Sequence, residues 1–375
     1  MNIRHKFNLW GPTSLAVLLA ASLTGPVFAQ TAPEQADNVA TASEVLDDAA
    51  QAEQGHDELP RGQFRLPEQG DIIGERYTVT VEDPEETLID IARRHNIGYE
   101  EIRMANPEVS MWVPGEGTEV VIPAQYILPP APREGVVVNL SELRLYYYPA
   151  DNPGIVETYP VSVGRNEFAT PVGLTRTTVK VKDPAWAPPA SMRREAAERG
   201  DPAPAVVPPG PDNPLGEHAI LLAMPSYLIH GTNRPDGVGM RVSRGCIRMY
   251  PEDIKSLYER LPSGTQVNLM DAPFKAGWAA DGTLFVQSYP QLEENVGDFE
   301  PLLAAIERVD ALTEDQVEVD YEQVKRAVES PDGNFVALHG PQAPKPVVEE
   351  EPAAELNGLF EEVELSQAEP AEEDA

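Results

Sequence analysis

A single cysteine, Cys246, limits how this chain can hold itself together. It cannot close an internal disulfide, so stability must come from a buried core and backbone pairing. The 375-residue length allows two or three domains, and 41% hydrophobic content supplies ordinary material for a core. The restriction matters because the chain reads as exported. Arg4 and Lys6 form a positive start, Leu15 to Leu23 a short apolar run, and Val27-Phe28-Ala29 a small-x-small cleavage site. The mature chain is expected to begin near Gln30 as a soluble periplasmic protein. The apolar run is too short for a comfortable membrane span, and no later stretch has about 18 consecutive apolar residues. The cysteine lies too far along to carry a lipid at the new N-terminus. A net charge of −34 argues against nucleic acid and against anionic membrane surfaces as partners.

Both ends of the mature chain read as unstructured. Residues 30–72 are rich in Ala, Glu, Asp and Gln without sustained periodicity, which predicts a disordered acidic linker. Residues 341–375 mix Pro with Glu runs such as Glu349-Glu350-Glu351, which predicts a disordered acidic tail.

Between these ends, Tyr77 to Val81 alternates like a strand. Asp83-Pro84-Glu85-Glu86 then offers a helix cap, a first-turn proline and a capping-box glutamate. Leu88, Ile91, Ala92 and His95 share one helical face. A second helix fits Tyr99 to Ala105 and stops at Asn106-Pro107. Glu119 to Ile122 closes the unit as a strand after the Pro114 to Gly117 turn. Next come strands over Val136 to Leu140, Leu143 to Tyr148, Val156 to Val163 and Thr177 to Val181. A long Pro- and Ala-rich excursion from Asp183 to Pro214 interrupts them. Ala219 to Met224 and Tyr227 to His230 then form a hairpin, and a helix begins at Pro251 with Ile254, Leu257, Tyr258 and Leu261 as its apolar stripe. Gln266 to Leu269 ends this region. Beyond it lie a hairpin at Asp281-Gly282 and a helix over Phe299 to Leu312.

The chemistry concentrates in Ile229-His230-Gly231-Thr232 and Ser243-Arg244-Gly245-Cys246-Ile247-Arg248-Met249. A thiol becomes a good nucleophile beside a base or a positive charge. Gly245 lets the backbone bend so that the Gly245 and Cys246 N–H groups can converge on an oxyanion. Arg244 and Arg248 can lower the thiol's pKa and bind substrate carboxylates. A metal site is not expected, because no second Cys or close His accompanies Cys246. By themselves these residues leave open whether Cys246 is reactive or inert and whether His230 is catalytic or structural.

These motifs resemble the YkuD-type L,D-transpeptidases, especially the ErfK/YbiS subgroup. The likeness rests on Ile229 to Thr232 and Ser243 to Arg248, with Thr170-Pro171-Val172-Gly173 and Trp186-Ala187-Pro188 upstream. It continues through Arg193-Arg194-Glu195, the run Pro204 to Gly216, and Pro251 to Ile254. Arg244 stands where the family usually has His. Leu88-x-x-Ile91-Ala92, Ile102-x-x-x-Asn106-Pro107 and the Pro114 to Pro123 run resemble a LysM module.

The resemblance implies a mainly β catalytic domain (L,D-transpeptidase fold) at 132–271, preceded by a small α/β (βααβ) LysM module at 73–124. A C-terminal accessory region would span 272–340. It also implies the chemistry. Cys246 would attack the bond between the diamino acid and D-Ala of a peptidoglycan tetrapeptide stem. His230 would serve as base and acid, with the Gly231 carbonyl orienting its ring. Ser243, Arg244, Gly245 and Arg248 would support the loop or the substrate. No cofactor is expected. The LysM module would bind the glycan, and the acceptor would be a second stem or a lysine of an outer-membrane lipoprotein. A hydrolase on the same scaffold and a non-catalytic wall-binding protein are the alternatives.

Overall fold

The computed structural model describes residues 59–291, 300–314 and 316–343. The expected signal segment, residues 30–58 of the expected linker and residues 344–375 of the expected tail lie outside the described residues.

The chain opens with β1 (Gln63–Arg65), β2 (Ile72–Gly74) and β3 (Tyr77–Thr80). Helices α1 (Leu88–Arg94) and α2 (Tyr99–Ala105) precede β4 (Glu119–Ile122) and β5 (Gln125–Ile127). The central region holds β6 (Gly135–Asn139), β7 (Arg144–Tyr148), β8 (Ile155–Pro160), β9 (Val163–Gly164) and β10 (Gly173–Lys182). After α3 (Ala190–Glu198) come β11 (His218–Leu222), β12 (Leu228–His230), β13 (Arg241–Ser243) and β14 (Ile247–Arg248). Helix α4 (Pro251–Arg260) and β15 (Gln266–Met270) complete this region. The C-terminal part is β16 (Phe274–Trp278), β17 (Leu284–Ser288), α5 (Glu300–Thr313), α6 (Tyr321–Glu329) and β18 (Phe335–His339).

The central region is mainly β. Among the described residues, one nine-stranded sheet runs β1-β8-β7-β6-β15-β10-β11-β12-β14. Its β-branched and aromatic residues alternate between two cores. Val136, Val138, Leu145, Ile220, Ile229, Ile247 and Leu269 are buried against the α4 stripe Ile254, Leu257 and Leu261. Val137, Tyr146, Tyr148 and Val156 face the other way, into a core shared with Leu88, Ile91, Ile102, Val120 and Ile122. Each such aliphatic side chain, fully buried, contributes about 1.5–3 kcal/mol. The strand pair β3–β4 with α1 and α2 between them has the expected βααβ order. It is no separate bead, because its core continues into the large sheet.

Three expectations need correction. The linker reading fails from 63 to its end at 72, where β1 adds to β8 and β2, which begins at Ile72, pairs with β5. Phe64, Leu66 and Ile73 pack into the shared core, but three-residue strands are too short to show periodicity. Helix α1 starts after Thr87, not Asp83. The Thr87 Oγ1 accepts from the Asp90 N–H at 3.2 Å and the Asp90 carboxylate accepts from the Thr87 N–H at 3.0 Å. Asp83 instead closes a turn, accepting from the Glu85 N–H at 2.9 Å. Within the Asp183 to Pro214 excursion, where no element was expected, lies α3.

The C-terminal region is a three-stranded antiparallel sheet, β16-β17-β18, covered by α5 and α6. Lys275 of β16 is buried and donates to the buried Glu142 carboxylate at 2.6 Å, which joins this region to the turn between β6 and β7.

Candidate active site

Strands β12 and β14 lie parallel, with Ile229 opposite Ile247 and His230 opposite Arg248. Ile229 and Ile247 are buried in the core. Side chains alternate along a strand, so Leu228, His230, Cys246 and Arg248 share the opposite face. Cys246 immediately precedes β14, so it and His230 occupy diagonal positions on this shared face. The sequence separates them by sixteen positions, and strand pairing brings them together.

Two hydroxyls hold the loop that carries Cys246, at the Gly245 N–H and at the Gly245 and Cys246 carbonyls. Ser243 Oγ donates to the Cys246 carbonyl at 2.6 Å and accepts from the Gly245 N–H at 3.1 Å. Thr170 Oγ1 donates to the Gly245 carbonyl at 2.9 Å and accepts from the Gly164 N–H at 2.9 Å. Gly245 has φ +101°, and a Cβ there would stand 2.7 Å from the Tyr227 ring. The position therefore needs glycine for conformation and for space. The Gly245 N–H, expected to face an oxyanion, is instead engaged by Ser243.

The thiol is half-buried and donates to the Ser226 carbonyl at 3.6 Å. Ser226 has φ +72°, an unusual left-handed value for a non-glycine residue, and it closes the turn between β11 and β12. Burial pushes the Cys246 thiol above its ordinary range; the Leu228 backbone and the Arg248 charge oppose that. His230 is buried, and its Nδ1 lies 2.6 Å from the Gly231 carbonyl. Burial lowers the imidazole pKa to about 4, the Arg248 charge adds to this, and the Gly231 and Leu215 carbonyls oppose it. At neutral pH the ring is uncharged. A proton on Nδ1 satisfies Gly231 and leaves Nε2 as the basic nitrogen. Among the described residues Cys246 and His230 are not hydrogen-bonded to each other, so the site rests as a neutral thiol beside a neutral base.

The two arginines separate. Arg248 acts on the thiol, and its Nε is buried without a hydrogen-bond partner among the described residues. Burial, joined by the charge of Arg234, lowers the Arg248 pKa. Arg244 turns elsewhere, pairing with Glu195 of α3 and stacking over the Phe168 ring at 4.2 Å. No group of three or more metal-ligating side chains occurs among the described residues.

Residues 133–269 match the YkuD family, the L,D-transpeptidase catalytic domain. The chain is 41% identical over 243 residues to the probable L,D-transpeptidase YcfS of Escherichia coli (strain K12), covering 64% of this chain and 76% of that one. It is 40% identical over 240 residues to the probable L,D-transpeptidase ErfK/SrfK of Salmonella typhimurium, covering 63% and 77%. The chain belongs to the L,D-transpeptidase family. The NMR structure of the catalytic domain of an E. faecium L,D-transpeptidase aligns with 36% of this chain and 96% of its own, at 19% identity and a TM-score of 0.28.

This L,D-transpeptidase surrounds its cysteine with residues to which the sequence reading gave no role. Thr170 opens the Thr170-Pro171-Val172-Gly173 motif, but its clamp on Gly245 depends on a partner 75 positions away. Ser226, Tyr227 and Leu228 lie in an expected hairpin, and nothing in their types signals contact with the thiol. Phe168 and Glu195, the partners of Arg244, become visible only through the fold.

Proposed function

We propose that Cys246 is the nucleophile and His230 the general base and acid of a peptidoglycan L,D-transpeptidase. The observation that carries this reading is the adjacency of β12 and β14, which sets an uncharged, Gly231-oriented imidazole beside the chain's one thiol. His230 Nε2 takes the thiol proton as sulfur attacks the carbonyl between the diamino acid and the terminal D-Ala of a stem. The tetrahedral oxyanion faces the Cys246 N–H, since Ser243 already occupies the Gly245 N–H. Collapse expels D-Ala as its amine, which takes the proton back from His230, and leaves a thioester on Cys246. An acceptor amine then attacks the thioester and gives its proton to His230, and the restored thiol recovers that proton. The product is a new amide, a 3–3 cross-link when the acceptor is a second stem and a lipoprotein anchor when it is a lysine.

The remaining assignments follow the same reading. Residues 1–29 direct export to the periplasm. The βααβ unit at 73–124 acts as a LysM module on the glycan, its Trp112 exposed in the loop after α2. In wall fragments from cells with and without the gene, mass spectrometry reads out the acceptor. The direct test is acylation of the purified protein with a carbapenem. One adduct mass is expected, and none on Cys246→Ala. Full labelling of the Ala variant excludes the cysteine mechanism.

A further inference from the structure

Arg244 directly precedes the Gly245-Cys246 pair, yet its guanidinium leaves the thiol and crosses to the excursion. It pairs with Glu195 of α3 and lies over Phe168, whose short segment leads into Thr170. Glu195 is half-buried, and its pKa is lowered, first by the hydrogen bond from Arg244. Three elements distant in sequence thus meet at the residue before the cysteine loop's glycine.

The excursion is pinned at both ends. Trp186 and Val207 exchange backbone hydrogen bonds of 2.9 and 2.7 Å. The buried Asn213 donates to the Pro184 and Pro208 carbonyls at 2.7 and 3.1 Å. Past Asn213, Gly216 packs so close to Gly231 and Thr232 that a Cβ would stand 2.8 Å from the Thr232 nitrogen. The chain just past the excursion therefore borders the His230 side of the site. Between the pinned ends, Ala196 is the one buried residue of α3. The helix has no apolar stripe to seat it, and the Arg244–Glu195 pair ties it to the cysteine loop. One more observation points to substrate. Arg244 Nη1 is buried and has no hydrogen-bond partner among the described residues. A buried donor left unmade is unfavourable, and an oxygen that reaches it is correspondingly favoured.

We infer that Arg244 and Glu195 form a latch that holds α3 against the cysteine loop, so that Arg244 is a positioning residue for the donor stem. The guanidinium supports the wall of the donor site with its paired face and offers Nη1 to a carboxylate or carbonyl of the stem. The planar, permanently charged group suits stacking and pairing together, which an imidazole or an ammonium does less well. This inference rests on Cys246 being the nucleophile.

The test is a double-mutant cycle on the full chain with Arg244→Gln, Glu195→Gln and both changes. The probe is a tetrapeptide stem ending in D-Ala, and release of D-Ala is followed. Glu195→Gln is expected to raise KM about three- to five-fold with kcat within two-fold, Arg244→Gln to raise it further because it also loses Nη1, and the double change to match Arg244→Gln, as coupled partners do. Arg244→Lys should restore KM in part. The pH midpoint of Cys246 alkylation by iodoacetamide should stay where it is in all variants. Additive KM effects, an unchanged KM in both single variants, or a shifted alkylation midpoint in Arg244→Gln would overturn the latch. Cys246→Ala serves as a separate control. If it still releases D-Ala, the nucleophile assignment fails, whatever the cycle gives.

Discussion

Arg144 of β7 is fully buried and donates through Nε and Nη2 to Glu101 of α2, at 2.9 Å for each bond. Its guanidinium also lies over the Tyr126 ring at 4.1 Å and donates to the Asn96 carbonyl. Burial works against the charge, and Glu101 together with Tyr126 and Tyr146 outweighs it, raising the arginine's pKa. Removing one member of a buried pair strands the other charge and costs about 3–5 kcal/mol. Glu101→Ala should therefore destabilise the whole protein, and calorimetry should show the βααβ unit and the large sheet melting in one transition. A chain beginning at Ala131 should not reach a native fold, because it also loses the apolar partners of Val137, Tyr146 and Val156. Two separate transitions, or a stable truncated chain, contradict the coupling.

His230 sets a second expectation, for stability against pH. Its pKa is lowered to about 4 by burial, against about 6.5 in an unfolded chain. Between those values the unfolded state binds the proton and the folded state does not. The contribution is thus present above about pH 6.5 and lost as pH falls through 4, about 3 kcal/mol in all. Urea titrations at pH 7 and pH 5 should show the parent losing about 2 kcal/mol more than His230→Gln across that step. Equal losses would mean that the imidazole is not held neutral by burial.

Much of this site was legible in the sequence, for a definable reason. Cys246, His230, Ser243 and Gly245 lie in short motifs whose strand ends and turns are local, and the parallel strands β12 and β14 bring them together. Helices α2 and α4 showed themselves through proline, asparagine and apolar periodicity. What stayed hidden depends on distant partners. Glu101 and Arg144 are 43 positions apart, and Arg244 and Glu195 are 49 apart, so neither pair leaves a local pattern. Helix α3 has one buried residue, and a helix without an apolar stripe has no periodicity to read. The strands β1 and β2 are too short for alternation to declare itself.

The thiol supplies a third expectation. Burial raises its pKa, and the Leu228 backbone and Arg248 favour the ionised form. Because the thiolate is the reactive species, alkylation by iodoacetamide should keep rising past pH 8 without a plateau near neutrality. Arg248→Gln should move the profile further up and slow alkylation several-fold at pH 8. A plateau at neutral pH in the parent would instead indicate a standing thiolate–imidazolium pair, contrary to a resting site of two neutral groups.

The last expectation concerns Gly245, where conformation and space act together. Its φ of +101° lies where a side chain is strained, and the Cβ of alanine would meet the Tyr227 ring at 2.7 Å. The ring belongs to the residue after Ser226, whose carbonyl accepts from the thiol, so its displacement acts on that turn. The loop can retreat only by giving up the Thr170 and Ser243 bonds that fix its backbone. Alanine at such a φ costs about 1 kcal/mol or more. Either movement shifts Cys246 relative to His230, and a displacement of about 1 Å at a reacting centre can lower the rate about a hundred-fold. Gly245→Ala should therefore melt only slightly earlier than the parent while its carbapenem acylation slows far more than that loss of stability accounts for. Acylation rates measured well below the melting temperature of both proteins make the comparison. An unchanged rate would show that the loop absorbs the Cβ without moving sulfur, and that Gly245 serves the fold alone.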